Sequence, residues 1–183
     1  MNLVQEHFMQ PQLGAVLGML IALSWTDLAA QEASSACSLL TAADINAAVG
    51  AKVGEPHRTD MGIAPGAASK TNGNCMWKVG DQGMVSVGVM PAAKGAEREA
   101  GLTKLNQVYD QLKAKHWTEE KQVFSNGWCS TMTPPVSEKD SPIMTGCMAE
   151  AKGLAIGVTY LNPKQKLALD KAKGLLDKVI GHL

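Results

Sequence analysis

Four cysteines, Cys37, Cys75, Cys129 and Cys147, follow an apolar leader and are spread through the rest of a 183-residue chain. In an oxidising compartment they can close two cross-links, and each cross-link restricts the unfolded chain and so favours a compact stapled domain. Whether they meet such a compartment depends on the leader. Residues 13–23 form an apolar run shorter than the ~20 residues that span a bilayer. Leu28-Ala29-Ala30 then offers small residues at the two positions a signal peptidase reads. The expectation is a signal peptide over 1–30, cleaved before Gln31, and one mature domain over 31–183, periplasmic or secreted. After cleavage no stable membrane insertion is expected. One feature departs from the signal pattern, since no Lys or Arg occurs before Lys52. Cys37, preceded by Ser34-Ser35-Ala36, is a poor lipidation site, and lipidating it would leave an odd number of thiols.

About 150 residues remain, enough for one domain with a real core. Of the 17 basic and 17 acidic residues, only Glu6 and Asp27 fall in the leader. The near-balanced remainder gives no electrostatic reason to expect nucleic acid as a partner. Aromatics make up 4% of the chain, which argues against a base-stacking groove.

Local signals divide the mature part into alternating elements. Thr41 and Asp44 make a capping box, Leu40 and Ile45 a hydrophobic staple, and Gly50 a left-handed stop, so a short helix is expected between them. Residues 54–73, rich in Gly, Ala, Pro, Ser and Asn, read as one weak strand and a loop. Residues 74–79 and 84–90 alternate and form a hairpin about a turn at 80–83. A helix over 96–116 carries Leu102, Leu105, Val108, Tyr109 and Leu112 on one face. Strands follow around 122–124 and 128–132, then a second hairpin over 143–150 and 154–160 that turns at Lys152-Gly153. The last helix opens at Asn162-Pro163, with Gln165 at N3. It is expected to bury Ala168, Ala172, Leu175, Leu176, Val179 and Ile180. The fold expected is α+β: a single domain with a curved antiparallel sheet of about five to seven strands. A short N-terminal helix and two longer helices pack on one face of it.

The two hairpins look alike. Cys75-Met76 precedes a turn, the strand Val85-Ser86-Val87-Gly88-Val89 and a helix. Cys147-Met148 precedes a turn, Leu154-Ala155-Ile156-Gly157-Val158 and a helix. The pattern suggests a two-fold internal repeat. Period-two alternation puts the bulky residues on one face and Ser86, Gly88, Ala155, Gly157 and Thr159 on the other. That small-residue face is either solvated or approached closely by a ligand or another backbone. These five are the ligand-facing candidates. An exposed Trp beside them would mark a binding groove, whereas Trp77, Trp117 and Trp128 otherwise serve the core. Four cysteines allow three pairings. Equivalent halves would each carry one staple, Cys37–Cys75 and Cys129–Cys147.

The pattern Cys37-x-Leu39-Leu40-Thr41, then Gly50, then Cys75-x-Trp77 and a Val-alternating strand resembles bacterial secreted and lipoprotein domains of unknown function. They are best known among mycobacterial lipoproteins, and some resemble the extracellular sensor domain of a mycobacterial serine/threonine kinase. The resemblance covers about residues 37–90. It implies an α+β sandwich with a curved antiparallel sheet and two disulfides, and it brings no catalytic motif. The chain departs from the lipoprotein members in lacking a convincing lipobox.

No thioredoxin, haem-attachment, zincin, phosphate-loop, dinucleotide or nucleophile-elbow motif occurs. His57, His116 and His182 read as incidental or structural, and no catalytic residue and no cofactor is expected. The methionines Met61, Met76, Met84, Met90, Met132, Met144 and Met148 are many for this length. With His57, a set such as Met61, Met76 and Met84 would suit Cu(I), which favours thioethers. They form no Met-x-x-Met run, and methionine also fills irregular packing. The sequence therefore points to a non-enzymatic binding domain for a protein or small ligand, with periplasmic copper handling as the alternative.

Overall fold

The computed structural model describes residues 36–59 and 73–183. The expected signal peptide, Met61 and most of the loop expected within 54–73 lie outside the described residues. A 3-10 turn, Ala36–Ser38, leads into α1, Ala42–Val49. The strands are β1 (Val53–Thr59), β2 (Gly73–Val79), β3 (Gly83–Pro91), β4 (Thr118–Phe124), β5 (Gly127–Thr133), β6 (Ile143–Ala151) and β7 (Leu154–Asn162). Helix α2, Gly95–Ala114, lies between β3 and β4, and α3, Leu169–His182, closes the chain. The strands form one seven-stranded sheet in the order β1-β2-β3-β7-β6-β5-β4. Every pairing in it is antiparallel. No helix among the described residues is long and apolar enough to cross a membrane.

The bulky face of the sheet is the core. Trp77 pairs with Val85, and Val85 with Tyr160, across β2, β3 and β7. Val87 and Val158 pair at the sheet centre, and Cys147 lies beside Val158 on β6. All are buried, and Ile45 and Val49 of α1 join them from above, together with Ala172, Leu175, Leu176 and Val179 of α3. Each large apolar side chain removed from water contributes about 1.5–3 kcal/mol. Both disulfides lie in this core, Cys37–Cys75 and Cys129–Cys147. The first ties the 3-10 turn before α1 to β2, and the second links β5 and β6 residues that sit opposite each other in register. In the chain-entropy treatment, loops of this length stabilise by roughly 3–4 kcal/mol each.

The expected caps of α1 are present. The Thr41 hydroxyl accepts from the Asp44 amide at 3.1 Å, and Asp44 accepts from the Thr41 amide at 3.0 Å. Gly50 ends the helix at φ 74°, a left-handed conformation that favours residues without a Cβ. Lys178 of α3 pairs with Asp44 and docks the C-terminal helix onto α1. His182 adds a second tie, donating from Nδ1 to the Leu39 carbonyl at 2.8 Å.

Three expectations need correction. Helix α3 starts at Leu169, not beside Asn162. The Asn162 side chain does accept from the Lys164 and Gln165 amides, at 2.8 and 3.0 Å, but these bonds close a turn that does not propagate. The chain runs on without helix to bury Leu167, whose carbonyl accepts from Thr145 Oγ1 at 3.3 Å. With its proton committed there, Thr145 accepts from Thr131 at 3.1 Å, and two buried hydroxyls are satisfied. A helix begun at Pro163 would take the Leu167 carbonyl away and leave one of the two hydroxyl protons without an acceptor, a penalty of about 1–3 kcal/mol. Leu167 is therefore buried where Ala168 was expected, and Ala168 is exposed. Second, α2 ends at Ala114, short of the expected end at 116. His116 sits beyond the helix at φ 64°.

The third correction concerns α2 itself. The expectation placed both long helices on one face, but α2 lies over the opposite face from α3. Its Tyr109 meets Trp128 and Ser130, which alternate with the core-facing Cys129 on β5. The reason is topological. Four successive antiparallel pairings separate β3 from β4, so the two strands run in the same direction. A helix joining such strands has to cross one face of the sheet, and the right-handed crossing is strongly favoured. The repeat thus extends through the hairpins, whose Gly88 and Gly157 pair directly at the centre, but not through the helices that follow them.

Candidate functional site

The face opposite the core is built from the alternate residues of the same strands. All six methionines among the described residues, Met76, Met84, Met90, Met132, Met144 and Met148, lie on it. Met132 and Met144 are direct cross-strand neighbours on β5 and β6, and Met148 is opposite Trp128. The central strands contribute the small residues: Ser86 pairs with Thr159, Gly88 with Gly157, and Met90 with Ala155.

Helix α2 stands over the β5–β6–β7 half of this face. None of its residues is fully buried, although Leu105, Tyr109 and Leu112 are half-buried. Its inner stripe, Arg98, Leu102, Leu105, Tyr109 and Leu112, repeats at helical spacing. The helix is held by a few polar and aromatic links. Tyr109 Oη lies 3.0 Å from Ser130 Oγ, and its ring meets Trp128 edge-on with centroids 5.9 Å apart. Burial raises the Tyr109 pKa, and the Ser130 hydroxyl partly offsets this. Lys113 pairs with Glu119 at 2.6 Å near one end, and Arg98 with Glu150 at 2.9 Å near the other.

Between helix and sheet the packing is incomplete. A cleft of about 250 Å³ lies there, lined from α2 by Leu105, Val108, Tyr109 and Leu112. From the sheet its walls are Trp128, Ser130, Met132, Met144, Met148 and Thr159, with Gly146 on its floor. The lining is almost wholly apolar. Methionine is the side chain best suited to such a wall, because its flexible, polarisable thioether conforms to differently shaped contacts. A second, wider cleft of about 550 Å³ adjoins it, bounded by Arg98, Leu102, Asn126, Glu150 and Ala155. Trp128 and Met148 line both.

Of the residues singled out from sequence, Thr159 lines the narrow cleft and Ala155 the wide one. Ser86, Gly88 and Gly157 lie on the same face but line neither. A Cβ at Gly88 would come within 2.6 Å of the Asn74 side-chain oxygen, whereas Gly157 faces open space. Trp77 is core and Trp117 is buried, donating from Nε1 to Glu138 at 3.1 Å. Trp128 is the tryptophan beside the small-residue face. Sequence reasoning missed Trp128, Met132, Met144 and Met148 as a group, although each occupies the strand phase opposite to Cys129 or Cys147. For the copper alternative, His57 sits opposite Met76 on β1 and β2, and Met84 shares their face. Met61 is outside the described residues. Among those residues no group of three His, Cys, Asp or Glu could hold a metal ion.

No protein-family model and no curated protein matches the chain, so the lipoprotein resemblance gains no support there. Among solved structures, the extracellular domain of PknH from Mycobacterium tuberculosis is similar, with a TM-score of 0.48 and 13% identity over 79% of this chain and 92% of that one.

Proposed function

We propose that this protein is an exported, non-enzymatic binding module that holds a small apolar ligand between α2 and the methionine-lined face of the sheet. The observation that carries this reading is the incompletely filled apolar cleft under a helix that contributes nothing to the fully buried core. A helix that served only stability would pack its Leu105–Tyr109–Leu112 stripe down onto the sheet. Apolar cavities with a few polar groups are the usual form of small-molecule sites, and here the Tyr109–Ser130 pair supplies the polar element. Export fits the two disulfides, which persist in oxidising compartments.

The test is titration of the disulfide-intact protein with N-phenyl-1-naphthylamine, read by probe fluorescence and by Trp128 quenching. Saturable micromolar binding is expected, and Leu105→Asp, which puts a charge into the cleft from a helix outside the core, should abolish it. Failure of the wild-type protein to bind, or unaltered binding in L105D, would overturn the reading.

A further inference from the structure

Strand register sets three residues of the narrow cleft in one line across the sheet. Ser130 on β5 pairs with Gly146 on β6, and Gly146 pairs with Thr159 on β7. All three belong to the methionine face, and neighbouring strands stand about 4.8 Å apart. The line therefore places a hydroxyl on each side of a position with no side chain. Thr159 Oγ1 leans towards the gap, 3.6 Å from where a Gly146 Cβ would stand. Among the described residues only the Val158 carbonyl, at 3.8 Å, also comes within 4 Å of that point. Helix α2 thus roofs the gap without filling it.

The hydroxyls beside the gap have protons to give. Tyr109 and Ser130 lie 3.0 Å apart, so one donates to the other and the acceptor's own proton is left over. Burial raises the Tyr109 pKa, which keeps the phenol protonated at neutral pH. Thr159 Oγ1 has no hydrogen-bond partner among the described residues. Two donor protons flank one gap, and a carbonyl or hydroxyl oxygen carries two lone pairs to receive them. The lining holds no charged side chain, so an ionised ligand would lose hydration with no countercharge in return. Size narrows the ligand further. At about 250 Å³ the cleft exceeds the ~150 Å³ cavity that takes a benzene. It falls short of the ~300 Å³ at which drug-sized sites begin. Two fused six-membered rings fit between these limits, and the methionine thioethers favour contact with aromatic rings.

We infer that the ligand is an uncharged molecule the size of two fused rings whose hydrogen-bond-accepting oxygen sits over Gly146, between Thr159 and the Tyr109–Ser130 pair. This rests on the apolar-ligand reading above and adds to it the ligand's size, its neutrality and the place of its polar atom.

The experiment compares tetralin, 2-tetralone and tetralin-2-carboxylate by displacement of N-phenyl-1-naphthylamine from the disulfide-intact protein. The three share one bicyclic skeleton and carry no oxygen, a neutral acceptor or a charge. The ketone should bind about tenfold more tightly than the hydrocarbon, the net worth of one or two neutral hydrogen bonds. The carboxylate should bind less tightly than the ketone. Thr159→Val, which keeps the shape and removes the donor, should cut the ketone's advantage and leave hydrocarbon binding unchanged. Gly146→Ala should abolish the advantage, because its methyl group takes the oxygen's place. At 3.6 and 3.8 Å from its neighbours that methyl is in ordinary contact, so the fold accepts it. Equal binding of ketone and hydrocarbon, an advantage that survives both substitutions, or tightest binding by the carboxylate overturns the inference and leaves the apolar cleft standing. Binding of the naphthylamine with no displacement by any of the three also overturns it. Failure of the unaltered protein to bind the naphthylamine would remove the underlying reading instead.

Discussion

Helices α2 and α3 follow hairpins of the same pattern, yet they do opposite things. Helix α3 buries Ala172, Leu175, Leu176 and Val179 against the core face and is tied to α1 through Lys178–Asp44. Helix α2 is longer, spanning 20 residues, and buries none of them fully. Its links to the sheet are Tyr109 and two ion pairs near its ends. Stability in a small domain comes mainly from apolar area removed from water, so one helix holds the fold and the other is free to serve a ligand. An amphipathic pattern alone did not separate these roles. What separated them is the surface each helix meets: interlocking Val, Ile and Trp on one side, and Gly, Ser, Thr and conformable Met on the other.

The largest expected effect tests this contrast directly. Leu176→Ala, at a position 0% exposed, should lower unfolding free energy by about 2–5 kcal/mol. Leu105→Ala in α2 should change it by less than about 1 kcal/mol, because a half-buried side chain loses little area. Equal losses in urea unfolding would break the comparison. Hydrogen exchange sharpens it. Amides of α2 should exchange by local opening, about a hundredfold faster than those of α3, which open only with the whole domain.

A smaller effect belongs to the α1–α3 clasp. The Lys178 ammonium and the Thr41 hydroxyl and amide hold the Asp44 carboxyl well below the usual carboxylate range. Its folded pKa therefore lies under the unfolded value of about 3.9. The stabilisation is complete above about pH 5 and is lost as pH falls through the acid range towards the folded value. Asp44→Asn should cost about 1 kcal/mol at neutral pH. The gap to wild type should stay flat between pH 5 and 8 and narrow below about pH 4, as read from urea midpoints. The smallest change concerns Tyr160, whose buried hydroxyl has no formed hydrogen bond among the described residues. Burial raises its pKa, and neighbouring Asn162 partly offsets this. Tyr160→Phe should leave stability unchanged or raise it by up to about 1 kcal/mol. A clear loss would reveal a partner for the hydroxyl.

Much of the fold was legible because its signals are local. Thr41 and Asp44 are three residues apart, Gly50 stops the helix next to them, and Lys152-Gly153 turns the second hairpin at φ values of 53° and 76°. Alternation assigned each strand residue to a face, and the repeat in the hairpins led to the disulfide pairing. The site was only partly legible. Alternation separated Met76, Met132, Met144 and Met148 from the core, but nothing local tells a solvated methionine from one roofed by a helix. The start of α3 was misplaced for a related reason. Asn162 and Pro163 make a good local cap, and the burial of Leu167 beside Thr145 is a long-range demand that overrides it.

The sequence by itself determined most of the elements and which side chains share a face, because capping, turn chemistry and period-two alternation act between residues close in the chain; the two staples it offered only on condition that the hairpins repeat, and the structure decided them. Only the tertiary structure decided that α2 crosses to the methionine face. That choice follows from the strand order, which carries the chain from the centre of the sheet at β3 to its edge at β4. No residue of α2 encodes it. Without that crossing, the Leu105–Tyr109–Leu112 stripe and the Trp128–Met148 wall would never meet, and the cleft between them would not exist.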